Sequence, residues 1–159
     1  MAGSTTKKAI IRRFDKEPLA GFVNPLSYQQ PSGVELMSSQ GNVSTIPYED
    51  IKSICFVRDF DTREAERRVF NNRPRMEGLW VSLEFRDGEV MEGVMPNNLL
   101  QIDHLGLSVI PPDPYSNNQR IFVPRVSLRS VEVLGVVGSP LKRRKAKAAA
   151  KEQIGLFDE

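Results

Sequence analysis

The sequence predicts an all-β protein of two small five-stranded barrels in tandem, joined by a short helical connector and followed by a flexible basic tail. Three observations carry that prediction. Apolar and polar residues alternate in short runs, the period of two of a half-buried strand. Blocks of the first half return in the second: in IPYEDIKSICFV (46–57) and VPRVSLRSVEVL (123–134), Pro47 matches Pro124, Ile51 matches Leu128, Ser53 matches Ser130 and Ile54 matches Val131. Glycines recur at the bends, Gly21 with Gly93 and Gly33 with Gly106. The expected division is 1–60 for the first barrel, 61–77 for the connector, 78–138 for the second barrel and 139–159 for the tail.

In chain order, KKAIIRRFDKEPLAGFV (7–23) is a strand, a charged turn and a second strand reaching Gly21. Pro18 stands at the start of that second strand, so the turn there cannot be an ordinary two-residue hairpin. GVELM after Gly33 is the third strand, and 46–57 holds the last. GLWVSLEFRDGEVMEGVM (78–95) repeats the first block, with Trp80, Ser82, Glu84 and Arg86 alternating with Leu79, Val81, Leu83 and Phe85. Asp87-Gly88 suits a type I′ turn, which needs positive φ. The second unit's strands are expected at roughly 79–86, 89–95, 106–110, 120–124 and 128–136, by their alternation and turn signals. Five short antiparallel strands with glycine at the bends favour closure, which removes sticky edges.

Between the units, TREAERRVF (62–70) has good helix formers for two turns, and Asn71-Asn72-Arg73-Pro74 breaks them. In the tail, KRRKAKAAAKE has high helix propensity but no apolar stripe. A helix this short is marginal alone in water, so a mobile tail is expected.

Composition narrows the class. A single cysteine, Cys55, cannot form an internal disulfide, which points to a reducing cytoplasm. No apolar run reaches the roughly 20 residues of a membrane span, and the first residues show no secretory h-region. Subtracting the tail's six basic and three acidic groups from the chain's 22 and 20 leaves 16 and 17, a near-neutral body. Such a body gives little of the counterion release that drives non-specific nucleic-acid binding.

On this alternation and strand order, the two units resemble the Sm-like and SH3-like small barrels, over about 7–58 and 78–136. The Asp and Asn of the Sm loop after strand two are echoed by Pro96-Asn97-Asn98 and Asp103, while Pro124-Arg125-Val126-Ser127 replaces the usual Arg-Gly. GLWVSLEFRDGEVMEGVMPNNLL and PPDPYSNNQRIFVPR resemble a bacterial family of uncharacterised proteins over nearly the whole chain. That likeness implies no activity.

No enzyme is expected, and no cofactor or metal. His104 is the single histidine, in the loop QIDHLG, and Cys55 lies in an apolar strand; together they cannot supply a zinc set. Phosphate-cradling glycine motifs are absent. The carboxylates Glu84, Asp87, Glu89 and Glu92 cluster around one strand turn, where they serve solubility and turn geometry. In Pro111–Arg120 the Asn and Ser residues suit turn chemistry; the functional alternative is a binding loop with Tyr115 and Arg120 as contacts.

Two regions carry binding hypotheses. Arg67, Arg68, Arg73 and Arg75 form a cluster without an acid, with Phe70 among them. Either Arg67 and Arg68 pair with Glu64 and Glu66 on the connector, or the arginines meet phosphates while Phe70 stacks on a base. At the C-terminus, Gln153-Ile154-Gly155-Leu156-Phe157 resembles the peptide by which many bacterial proteins bind the replication sliding clamp. The resemblance implies two apolar anchors, Leu156 and Phe157, beside Ile154, with Gln153 in a polar subsite. The alternative is that these side chains cover an apolar patch on the second barrel. Lys142, Arg143, Arg144 and Lys145 would add attraction to nearby DNA. The leading expectation is therefore a non-enzymatic adaptor with a protein partner, possible nucleic-acid contact and no membrane association. An Sm-like RNA-binding protein and a barrel pair that oligomerises through sheet edges are the alternatives.

Overall fold

Eleven strands make up the computed structural model, which describes residues 6–61, 68–112 and 117–138. β1 (Lys7–Arg13), β2 (Leu19–Val23), β3 (Gln29–Gln30), β4 (Gly33–Met37), β5 (Val43–Ile46) and β6 (Ile51–Val57) form the first half. β7 (Gly78–Phe85), β8 (Val90–Met95), β9 (Gly106–Val109), β10 (Asn118–Pro124) and β11 (Leu128–Val137) form the second. The protein is all-β. Among the described residues the helical elements are three-residue 3₁₀ turns, at Tyr48–Asp50, Leu99–Gln101 and Arg125–Ser127. Most of the expected connector helix, 62–67, lies outside the described residues, and 68–70 are not helical.

The turns follow local chemistry. Pro47 and Pro124 open two of the 3₁₀ turns with nearly identical backbones, φ −61°, ψ 143° and φ −60°, ψ 143°. Between β1 and β2, Asp15 takes a left-handed φ of 58°, and Arg13 donates to the Glu17 carbonyl at 2.9 and 2.7 Å. That is the different turn that Pro18 demands. The β7–β8 turn is not type I′. Gly88 is left-handed at φ 93°, whereas Asp87 is not among the positive-φ residues. The Gly88 N–H reaches the Phe85 carbonyl, and the Phe85 N–H reaches Glu89. A type I turn closed by a left-handed glycine produces this three-residue hairpin.

The strands divide eight and three, rather than five and five. The larger sheet runs β3-β4-β2-β1-β6-β10-β9, with β5 on β4, and curls into a half-barrel. The smaller runs β11-β7-β8. β10, from the second half, adds to β6 of the first, with Ile121 opposite Cys55 and Phe122 opposite Ile54. A bridge between Val94 and Ile110 ties β8 to the end of β9, through backbone hydrogen bonds of 3.0 and 2.8 Å.

This junction explains the apolar runs. β1, β6 and β10 have protein on both faces, so Ile10-Ile11, Ile54-Cys55-Phe56-Val57 and Ile121-Phe122-Val123 are continuous rather than alternating. Ala9, Ile11, Ile54, Phe56 and Phe122 enter one core cluster with Val34 and Tyr28. Ile10, Cys55, Val57, Ile121 and Val123 enter the other with Val81, Leu83 and Phe85. Alternate side chains of a strand point to opposite faces, so a single strand serves two cores. β7 has one buried face and alternates in burial from Trp80 to Phe85, as the sequence shows.

Candidate functional site

β6 and β11 occupy matching places and have different fates. β6 pairs with β1 through Ile54 opposite Ile11 and Phe56 opposite Ala9. β11 pairs with β7 through Val131 opposite Leu83 and Val133 opposite Val81. The second edge of β6 is filled by β10. Among the described residues no strand pairs with the second edge of β11. An open edge presents backbone donors and acceptors to any extended segment.

Beside that edge lies an apolar groove of ≈ 560 Å³, lined among others by Leu79, Val81, Met95, Ile102, Val131 and Val133. Val131 and Val133 sit opposite the fully buried Leu83 and Val81, on the inner face, yet are 43% and 56% exposed. In the first half the same seam is packed with aromatics. Tyr28 meets Phe56 at 5.6 Å and Phe122 at 5.8 Å, both edge to face. Burial raises the Tyr28 pKa, so that ring is a neutral filler. The second half lacks those rings. Asn24 and Asn98 each cap the N–H two residues on, and four residues beyond each stand Tyr28 and Ile102. Val133 faces Val81 as Phe56 faces Ala9, and among the described residues no strand brings a ring to β11 as β10 brings Phe122 to β6.

The arginine cluster is engaged with the protein. Arg68 pairs with Glu89. The Phe70 ring meets Trp80 edge to face at 6.2 Å. Glu92 Oε1 accepts from the Phe70 N–H at 3.0 Å and from Trp80 Nε1 at 3.1 Å. Arg73 Nη2 donates to the Val136 carbonyl at 2.6 Å. The segment 68–73 thus clasps the smaller sheet, while Arg75 is exposed. Arg67, Tyr115, Lys142, Arg143, Arg144, Lys145, Gln153, Ile154, Leu156 and Phe157 lie outside the described residues.

Other singled-out groups have local partners. Asn117 Oδ1 accepts from the N–H groups of Arg58 and Asp59, and its amide donates to the Asp61 carbonyl, closing the end of β6. Arg120 lies 4.7 Å over the Phe56 ring. Cys55 is a buried thiol 3.9 Å from Ser53 Oγ. His104 is 87% exposed beside Asp103.

The turn carboxylates do more than the sequence reading assigned. Lys52, on β6, pairs with both Asp87 and Glu89 on the β7–β8 turn, with its ammonium 5.0 Å from the Phe85 ring. The Lys52 hydrogen bond lowers the Asp87 pKa below its ordinary value. A smaller cavity of ≈ 260 Å³ nearby is lined by Arg12, Arg13, Lys16, Lys52, Arg68 and Glu89, among others. Three of these cations face acids, Lys16 with Asp50, Lys52 with Asp87 and Glu89, and Arg68 with Glu89, while Arg13 donates to the Glu17 carbonyl. Lys52 reaches acids 35 and 37 residues away, contacts that periodicity and local motif cannot show.

The described residues thus form an all-β fold in which the second edge of β11 pairs with no strand and lies beside an apolar groove. The chain belongs to a family of unknown function, DUF6982, whose model matches residues 5–135. No curated protein and no solved structure matches it. Among the described residues no helix is long and apolar enough to cross a membrane.

Proposed function

We propose that this protein is a non-enzymatic interaction module that captures an extended segment of a partner protein along β11. The observation that carries the reading is the contrast between two edges: β6 is covered by β10, whereas among the described residues no strand covers β11, which lies beside an apolar groove. Strand addition combines main-chain hydrogen bonds for affinity with side-chain pockets for specificity. In this reading the two halves are repeats of one small barrel, the first complete because the second lends it a strand.

The test is selection of a displayed random-peptide library on the full chain and on Val133→Lys, which places a charge in the groove. Peptides of alternating apolar pattern should be enriched by the wild type and not by the variant. Equal enrichment by both, or none, refutes the reading.

An adaptor role needs a second contact. The resemblance of Gln153–Phe157 to the clamp-binding peptide supplies a candidate, with the basic residues Lys142–Lys145 drawing the complex toward DNA and a reducing cytoplasm as its setting. Replacing Leu156 and Phe157 by Ala should abolish binding to a bacterial sliding clamp; unchanged affinity sinks that part. The RNA-binding alternative ranks behind, since Arg68, Phe70 and Arg73 already hold protein partners.

A further inference from the structure

We infer that the β11 groove takes an antiparallel partner strand whose sequence runs apolar, basic, aromatic; this rests on the open-edge reading above and specifies its ligand. The template is inside the molecule. β10 lies antiparallel on β6 with Arg120 opposite Phe56, Ile121 opposite Cys55 and Phe122 opposite Ile54. By the registers of β6 on β1 and β11 on β7, Val133, Glu132 and Val131 stand where Phe56, Cys55 and Ile54 do. A strand laid on β11 as β10 lies on β6 meets those three residues in that order.

Each position then has its own chemistry. The residue opposite Val133 faces an aliphatic side chain that is 56% exposed, so burial favours an apolar partner. The residue opposite Glu132 points to the outer face, where that carboxylate is exposed. Opposite charges directly across a strand pair attract, so it is lysine or arginine. The residue opposite Val131 takes the place of Phe122 and enters the groove. Ile102 and Val133 there are smaller than Tyr28 and Phe56, which leaves room for a ring.

A second copy of this chain is a poorer occupant. β5 precedes the Pro47 turn as β10 precedes the Pro124 turn, and Thr45 stands two residues before Pro47 where Phe122 stands before Pro124. The matching strand of another copy would bring a hydroxyl into the groove rather than a ring.

The probe is a fluorescein-labelled peptide of residues 117–125 carrying Arg120→Val and Ile121→Lys, titrated into the full chain by anisotropy. Saturable micromolar binding is expected, weakened at least tenfold by Phe122→Ala in the peptide and abolished by Val133→Lys in the protein. Glu132→Lys, on the surface and harmless to folding, should weaken binding severalfold, and a peptide with Ile121→Glu in place of Ile121→Lys should restore it. Binding that ignores the aromatic or the charge reversal overturns the inference. If the probe fails while the library still returns Val133-dependent peptides of another pattern, this ligand chemistry is wrong and the open edge stands. If no Val133-dependent peptide appears at all, both readings fall. A concentration-dependent dimer in sedimentation velocity, dissolved by Val133→Lys, would assign the groove to a second copy and overturn the inference.

Discussion

Phe122→Ala should destabilise both halves of the molecule at once. Phe122 belongs to β10, a strand of the second half, yet its ring is 0% exposed in the core cluster of the first. It touches Tyr28 edge to face at 5.8 Å and lies opposite Ile54. Truncating a buried phenylalanine costs about 3–5 kcal/mol, through lost transfer energy and the cavity left behind. Against a typical stability of about 5–15 kcal/mol, that is a large fraction. With a urea slope of about 2 kcal/mol/M, the midpoint should fall by about 2 M. The assay is urea unfolding followed by far-UV circular dichroism and by the fluorescence of Trp80, which sits on β7 in the smaller sheet. Because β6 and β10 each feed two cores, both signals should shift together, and Phe122→Leu should shift them less. A loss under about 1 kcal/mol would refute the packing argument. A Trp80 transition that stays at the wild-type midpoint while the dichroism shifts would refute the coupling of the halves.

Three further outcomes follow from single contacts. The folded-state pKa of Asp87 is depressed by Lys52, so the stability it contributes is present above its unfolded pKa and is lost as pH falls through the folded one. Carboxyl NMR should show Asp87 titrating below the ordinary 3.8, moving back toward it in Lys52→Met; an unmoved titration would disprove the pairing. Glu92→Ala removes the acceptor shared by Phe70 and Trp80 and should cost about 2 kcal/mol, as hydrogen bonds to a charged group do. Hydrogen exchange at the Phe70 amide should accelerate, and unchanged protection there would count against the clasp. Gly93→Ala places a Cβ 2.8 Å from Val109 Cβ and 3.2 Å from the Ile110 carbonyl, pushing β8 off β9. Overpacking costs about 1–3 kcal/mol, and a thermal midpoint equal to the wild type would show that the strands can part freely.

How much was legible depends on the range of the forces involved. β7 could be placed to within a residue, because one face is buried and its side chains alternate. Gly88 marked its turn, although the turn type was misjudged, since only tertiary closure tells a two-residue loop from a three-residue one. Glu92 looked like one carboxylate among several. Its role as a shared acceptor depends on a chain segment that returns across the sheet. No local signal marked Lys52, whose acids lie 35 and 37 residues away.

The sequence by itself determined the all-β class, most strand positions and the unusual turn before Pro18, because these depend on alternation, φ restriction and neighbours a few residues apart. Only the tertiary structure decided which edges meet. Ile54-Cys55-Phe56-Val57 and Ile121-Phe122-Val123 are the sites of that decision. Runs apolar on both faces bury fully only when a core lies on each face, and the sequence does not say which strands assemble those cores. β10 covers β6 and completes the first core, while among the described residues no strand covers β11, which lies beside a groove. That asymmetry between matching strands is a property of long-range pairing, and the proposed function rests on it.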